Sequence, residues 1–147
     1  MIRIRPSTPV DGDRAVDIWR AAVDATHDFL APADRIAIEE EVKGFLPQAP
    51  LWLAVDADDR PIAFMLLDGI SMEALFIDPA HRGRGIGRAL VEHAIGLHGT
   101  ITTEVNEQNG QAAGFYERMG FTATGRSDRD GQGRPYPLIH LLFSPQN

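Results

Sequence analysis

Residues 81–88, HRGRGIGR, set Gly83, Gly85 and Gly87 at alternate positions among Arg82, Arg84 and Arg88. Glycine lets a backbone take left-handed conformations and approach a ligand closely, and arginine offers a planar, permanently charged fork to phosphate oxygens. The segment follows the apolar run MEALFID and opens into apolar residues at helical spacing, Ile86, Ala89, Leu90, Ala94 and Ile95. A glycine turn that becomes a helix leaves backbone N–H groups pointing outward at the positive end of the helix dipole, an arrangement that holds a pyrophosphate. Surface arginines on a flexible loop are the plainer reading, but they leave the interleaved glycines unexplained.

Two common phosphate loops do not fit. A dinucleotide fingerprint needs Gly-x-Gly-x-x-Gly at the strand-to-helix turn, with an acid about 20 residues further on. Counting from Gly83, the third glycine falls at Gly87, and Arg88 holds the position where helix and strand must touch. The residues DPAHR also separate the apolar run from the first glycine. A nucleoside triphosphate loop needs Gly-Lys followed by Ser or Thr, and this segment has no lysine. The chain has no cysteine, which excludes disulfides, thiolate zinc sites and a cysteine nucleophile. His93 and His98 fall on different parts of a helix face, so no metal is expected.

The elements that must position this loop are marked by periodicity and by proline and glycine. Residues 1–5 alternate as a strand, and Thr8, Pro9 and Asp11 supply a cap, a first-turn proline and a first-turn acid for a helix reaching about Thr26. Its apolar face is Ala15, Ile18, Trp19, Ala22 and Val23. THDFLAP breaks the period, with Asp28 placed to cap a second helix that runs from Pro32 to about Leu46, where Pro47 stops it. Residues 51–55 and 62–67 flank DADDRP as a hairpin, and 71–78 form a further strand closed by Pro79. After the loop helix, 100–106 read as a strand, 109–119 as a short helix, and 121–127 and 136–143 as strands around DRDGQGRP. The order β-α-α-β-β-β-α-β-α-β-β is an α/β chain with a mixed sheet, expected to form one domain over 1–147.

The chain has 147 residues, 44% of them hydrophobic and 24% charged, as in a soluble globular domain. No apolar stretch nears the ~20 residues that span a bilayer, and no apolar segment leads the chain, so a cytoplasmic location is expected, with no membrane partner. A net charge of -7 argues against nucleic acid and makes the arginine loop a local positive site on a negative background.

Residues 82–87 resemble the Gln/Arg-x-x-Gly-x-Gly/Ala signature of the GNAT family of N-acetyltransferases. Asn109, Ala112, Tyr116, Gly120 and Phe121 resemble its Asn-x-x-Ala-x-x-x-Tyr pattern before a Gly-Phe pair. THDFL, FLPQAPLW, VNEQN and GRPYPL are similar to small bacterial members. The resemblance implies the GNAT acyl-CoA N-acyltransferase fold with splayed central strands. It also implies acetyl-CoA as co-substrate and transfer to a primary amine by direct attack on the thioester. The acceptor is expected to be a small-molecule amine. The alternatives are a protein or peptide amine, or a non-catalytic CoA-binding sensor domain. Family members are often dimers, so a homodimer is among the expectations.

By the same resemblance, the backbone of Leu75, Phe76 and Ile77 pairs with the pantetheine arm. The thioester lies between that strand and the strand over 100–106. Arg82, Gly83, Arg84, Gly85, Ile86, Gly87 and Arg88 hold the pyrophosphate, and a backbone N–H near Ile77 stabilises the oxyanion. Tyr116 is the general acid for the departing thiolate, its ordinary pKa of ~10 suited to a thiol. Asn109 contacts the cofactor, caps its helix, or does both. The base stays open among Glu104, His27 and water. Each has a plainer reading: a half-buried helix tyrosine, an exposed strand glutamate, a hydrogen-bonded structural histidine. Tyr136 is expected to pack across the sheet as a strand residue, and Phe29 and Leu30 to anchor the core.

Overall fold

The alternating N-terminus and the Thr8-Pro9-Asp11 signal fix how the chain enters its fold. In a computed structural model, which describes residues 2–145, β1 is Arg3–Pro6, and a 3-10 turn over Pro9–Asp11 leads into α1, Gly12–Thr26. The buried Asp11 carboxylate accepts the Thr8 backbone N–H at 2.8 Å and two Arg5 nitrogens at 3.0 and 3.2 Å. The Arg5 bonds hold its carboxyl below the usual range, against the opposing pull of burial.

Among the described residues, seven strands and four helices make a mixed α+β fold, in which the chain forms two compact units. The first runs to Leu67 and resumes over Ala74–Val91. It contains α1, α2 (Pro32–Phe45), β2 (Leu51–Val55) and nearly all of β3 (Pro61–Asp68). The strand order is β1-β2-β3, followed by β4 (Ser71–Ile77), which passes from the second unit into the first. β1 and β2 pair antiparallel through Arg3↔Val55, and β2 and β3 through Leu53↔Phe64. Ala15, Ile18, Trp19 and Val23 of α1 pack with Leu53, Val55, Phe64 and Leu66, and Ile38 and Val42 of α2 add to this core. The hairpin turn is built by Asp56, whose Oδ1 accepts the N–H groups of Asp58 and Arg60 at 2.9 and 3.0 Å.

The second unit comprises Asp68–Glu73 and the chain from Glu92 on. Helix α3, Ile86–His98, leads into it, followed by β5 (Ile101–Asn106), α4 (Gly110–Arg118), β6 (Thr122–Ser127) and β7 (Leu138–Phe143). Here the strand order is β4-β5-β7-β6. The parallel ladder of β4 with β5 holds the pairs Ser71↔Thr102 and Met72↔Thr103, and both strands continue past it. Met72, Ile101, Val105, Tyr116, Phe121 and Leu141 are buried. β6 joins β7 with a bulge between Ala123 and Gly125.

Two local expectations are corrected. Tyr136 lies before β7 rather than in it, because Pro135 and Pro137 cannot donate to a ladder; its N–H closes a tight turn on the Arg134 carbonyl at 2.8 Å. Asp28 does not cap α2, whose N-cap is Ala31. Between β4 and the glycine loop, Pro79–His81 forms a 3-10 turn. Among the described residues no helix is long and apolar enough to cross a membrane.

Candidate functional site

The first unit carries the strand, the loop and His27. Leu75, Phe76 and Ile77 are half-buried on β4, and Asp78 then turns the chain. Asp78 accepts the Ala80 N–H at 3.0 Å and Arg14 Nη2 at 2.7 Å, while Arg14 Nε donates to the Pro61 carbonyl at 2.9 Å. Helix α1 therefore fixes the base of the loop. Gly83 and Gly85 have φ of +77° and +73°, and no described atom lies within 4 Å of a Cβ added at either. Glycine is required there by the backbone, and the space a side chain would fill stays open. The Ala89 N–H bonds the Gly85 carbonyl at 3.0 Å, so the N–H groups of Ile86 and Gly87, in the first turn of α3, point out of the helix N-terminus. Arg82, Arg84 and Arg88 are exposed. These features fit a pyrophosphate.

His27 ends α1, its backbone N–H bonding the Val23 carbonyl at 2.8 Å. Its ring lies 5.2 Å from Phe29 and 6.4 Å from Phe76, and its Nδ1 is 2.7 Å from Thr26 Oγ1. Burial lowers its pKa, with the Asp28 charge opposing, so at neutral pH it is an uncharged imidazole beside β4.

The second unit carries the remaining candidates. Asn109 Oδ1 accepts the Ala112 N–H at 3.2 Å, so it caps α4 and presents its NH2 as the donor end. Tyr116 is 7% exposed, with its ring edge-on to Phe115 and Phe121 at 5.1 and 5.3 Å. Its hydroxyl neighbours Thr103, which donates to the Met72 carbonyl at 2.9 Å, and Met72↔Thr103 is a pair of the short parallel ladder. Burial raises the phenol pKa well above its ordinary 10, and the Thr103 hydroxyl only partly opposes this. The group is thus a weaker acid than an unperturbed phenol, and it suits hydrogen-bond donation to a developing anion.

Glu104 is exposed, as a strand glutamate would be, yet it has a partner that sequence reasoning missed. Its Oε2 lies 2.9 Å from His140 Nδ1, and His140 Nε2 lies 2.6 Å from Ser127 Oγ. The β5–β7 register sets Glu104 opposite His140. The structure therefore brings His27 to Phe76 of β4, and Glu104 to His140 and Ser127.

Residues 47–123 match the family described as Acetyltransferase (GNAT) domain. The chain is 57% identical over 143 residues to the peptidyl-lysine N-acetyltransferase YjaB of Salmonella typhimurium, covering 97% of this chain and 99% of that protein. It is 54% identical to the protein of the same name in Escherichia coli, over 97% of each. The solution structure of apo-form YjaB from Escherichia coli aligns with a TM-score of 0.95 at 53% identity over 99% of both chains.

Proposed function

The chain belongs to the GNAT acetyltransferase family, and from that premise we propose that its acceptor is the ε-amine of a peptidyl lysine. The chain is an N-acetyltransferase whose donor is acetyl-CoA. The acceptor reading is carried by one observation, near-full-length identity of 57% with a protein named for peptidyl-lysine acetylation. The relatives' names thus support the protein-amine alternative better than the small-molecule amine first expected.

Acetyl-CoA supplies an activated acyl carbon. The protein's task is to hold that carbon in line with an amine, without a covalent enzyme intermediate. In this reading the N–H groups at the start of α3, with Arg82, Arg84 and Arg88, hold the pyrophosphate, and the backbone of Leu75, Phe76 and Ile77 aligns the pantetheine arm. A backbone N–H near Ile77 donates to the carbonyl oxygen as charge develops on it. Tyr116 donates its hydroxyl hydrogen towards the departing sulfur, and the Asn109 NH2 contributes a further contact.

The test is a panel of lysine-containing peptides and a panel of small amines, each incubated with acetyl-CoA and scored by free CoA and by product mass. Turnover of peptides in preference to small amines is expected. Turnover of small amines alone restores the small-molecule acceptor.

A further inference from the structure

Hydrogen-bond polarity separates the two side chains between which the sequence leaves the base open. Thr26 is the last residue of α1, and its hydroxyl lies 2.8 Å from the Ala22 carbonyl oxygen one turn back. A carbonyl only accepts, so the single hydroxyl hydrogen points to Ala22 in the back-bonded geometry of a helical threonine. The same oxygen is 2.7 Å from His27 Nδ1. It therefore offers that nitrogen a lone pair, which places the ring proton on Nδ1 and leaves the basic lone pair on Nε2. The Phe29 and Phe76 rings flank the imidazole. When Nε2 takes up a proton the Nδ1–H bond to Thr26 is retained, so the ring neither flips nor changes tautomer.

Glu104 presents the opposite case. Its carboxylate accepts from His140 Nδ1, and in the neutral form of that ring Nε2 accepts the Ser127 hydroxyl hydrogen. Both nitrogens of that ring have partners, and the carboxylate is exposed to water.

We propose that Thr26 is a positioning residue that holds His27 in the Nδ1–H form, making His27 Nε2 the proton acceptor for the incoming ammonium group. This rests on the acetyltransferase reading above. Nε2 takes one proton from R–NH3+, giving R–NH2 and a protonated His27. The amine nitrogen forms the C–N bond as the C–S bond breaks, the sulfur takes the Tyr116 hydroxyl proton as it leaves, the second nitrogen proton restores the phenol, and His27 returns its proton to water.

Two measurements test this separately from the parent reading. Long-range 1H–15N correlation spectra of the imidazole report the tautomer without turnover. The parent and Thr26→Ser should show Nδ1 protonated and Nε2 bare, and Thr26→Val should show a mixture. A parent spectrum with the proton on Nε2 overturns the proposal. In steady-state assays His27→Gln should lower kcat/KM by about 10²–10⁴-fold, the usual contribution of a positioned base. Thr26→Val should lower it roughly 10-fold with the KM for acetyl-CoA unchanged, as for other partners that fix a histidine tautomer, while Thr26→Ser restores the rate. Glu104→Gln should stay near the parent value. A large loss in Glu104→Gln with His27→Gln near the parent makes Glu104 the base and ends the proposal. If the parent turns over no amine, the activity reading fails, and the spectra still decide what Thr26 does.

Discussion

His27 and His140 each sit within hydrogen-bond distance of a hydroxyl, 2.7 Å from Thr26 and 2.6 Å from Ser127, but the polarity is reversed. At His27 the hydroxyl hydrogen goes to a backbone carbonyl and the ring must donate; at His140 the ring donates to Glu104, and its neutral form accepts from Ser127. The first histidine lies among phenylalanines and is held neutral by burial, whereas the second belongs to a polar chain open to water. Identical side chains with near-identical distances can thus differ in the one property acyl transfer needs, a lone pair not already taken.

Substitutions should widen or collapse that contrast. After His27→Gln, the largest effect is expected from Tyr116→Phe, which removes the buried phenol of the second unit. Turnover should fall about 10²-fold, at the low end for a proton donor because burial has already weakened the acid, with acetyl-CoA affinity by calorimetry little changed. A variant that turns over like its parent removes Tyr116 from the chemistry. Phe76→Ala comes next. It should cost about 2 kcal/mol in denaturant unfolding, below the full value for a buried phenylalanine because Phe76 is half-buried. It should also admit water and move the His27 pKa back up towards 6.5 in an NMR titration.

The third effect concerns pH. The folded pKa of His27 lies below the unfolded 6.5, so the unfolded chain binds this proton first as pH falls. The contribution of neutral His27 to stability is present above pH 6.5 and is lost as pH drops through the folded pKa. Melting temperatures measured from pH 7 downward should therefore fall less steeply in His27→Gln than in the parent. Equal slopes would mean that His27 is not shielded. The smallest change is expected from His140→Gln, since an exposed pair with Glu104 contributes about 0–1 kcal/mol and less as salt rises. A larger loss in a salt series would make the polar chain a structural element in its own right.

Much of the fold was legible because its signals are local. Residues 51–55 and the loop helix emerge where apolar periodicity and proline or glycine punctuation agree, and Asn109 was recognisable as a cap from its place before a helix. What depends on which strands become neighbours was not legible. His140 reaches Glu104 only because β7, and not β6, borders β5, and Ser127 reaches His140 only across a bulged pair. Thr26 was hidden differently: it adjoins His27 in the chain, but its role depends on where one hydrogen points, which the Ala22 carbonyl determines.

The Arg14 link to Asp78 and to the Pro61 carbonyl has a consequence for how the donor arrives. With its base pinned to α1 and two of its glycines already left-handed, the loop has given up much of its conformational freedom during folding. Association with acetyl-CoA should then resemble a rigid-body encounter, with little ordering entropy charged to the ligand and an association rate set by diffusion and charge steering.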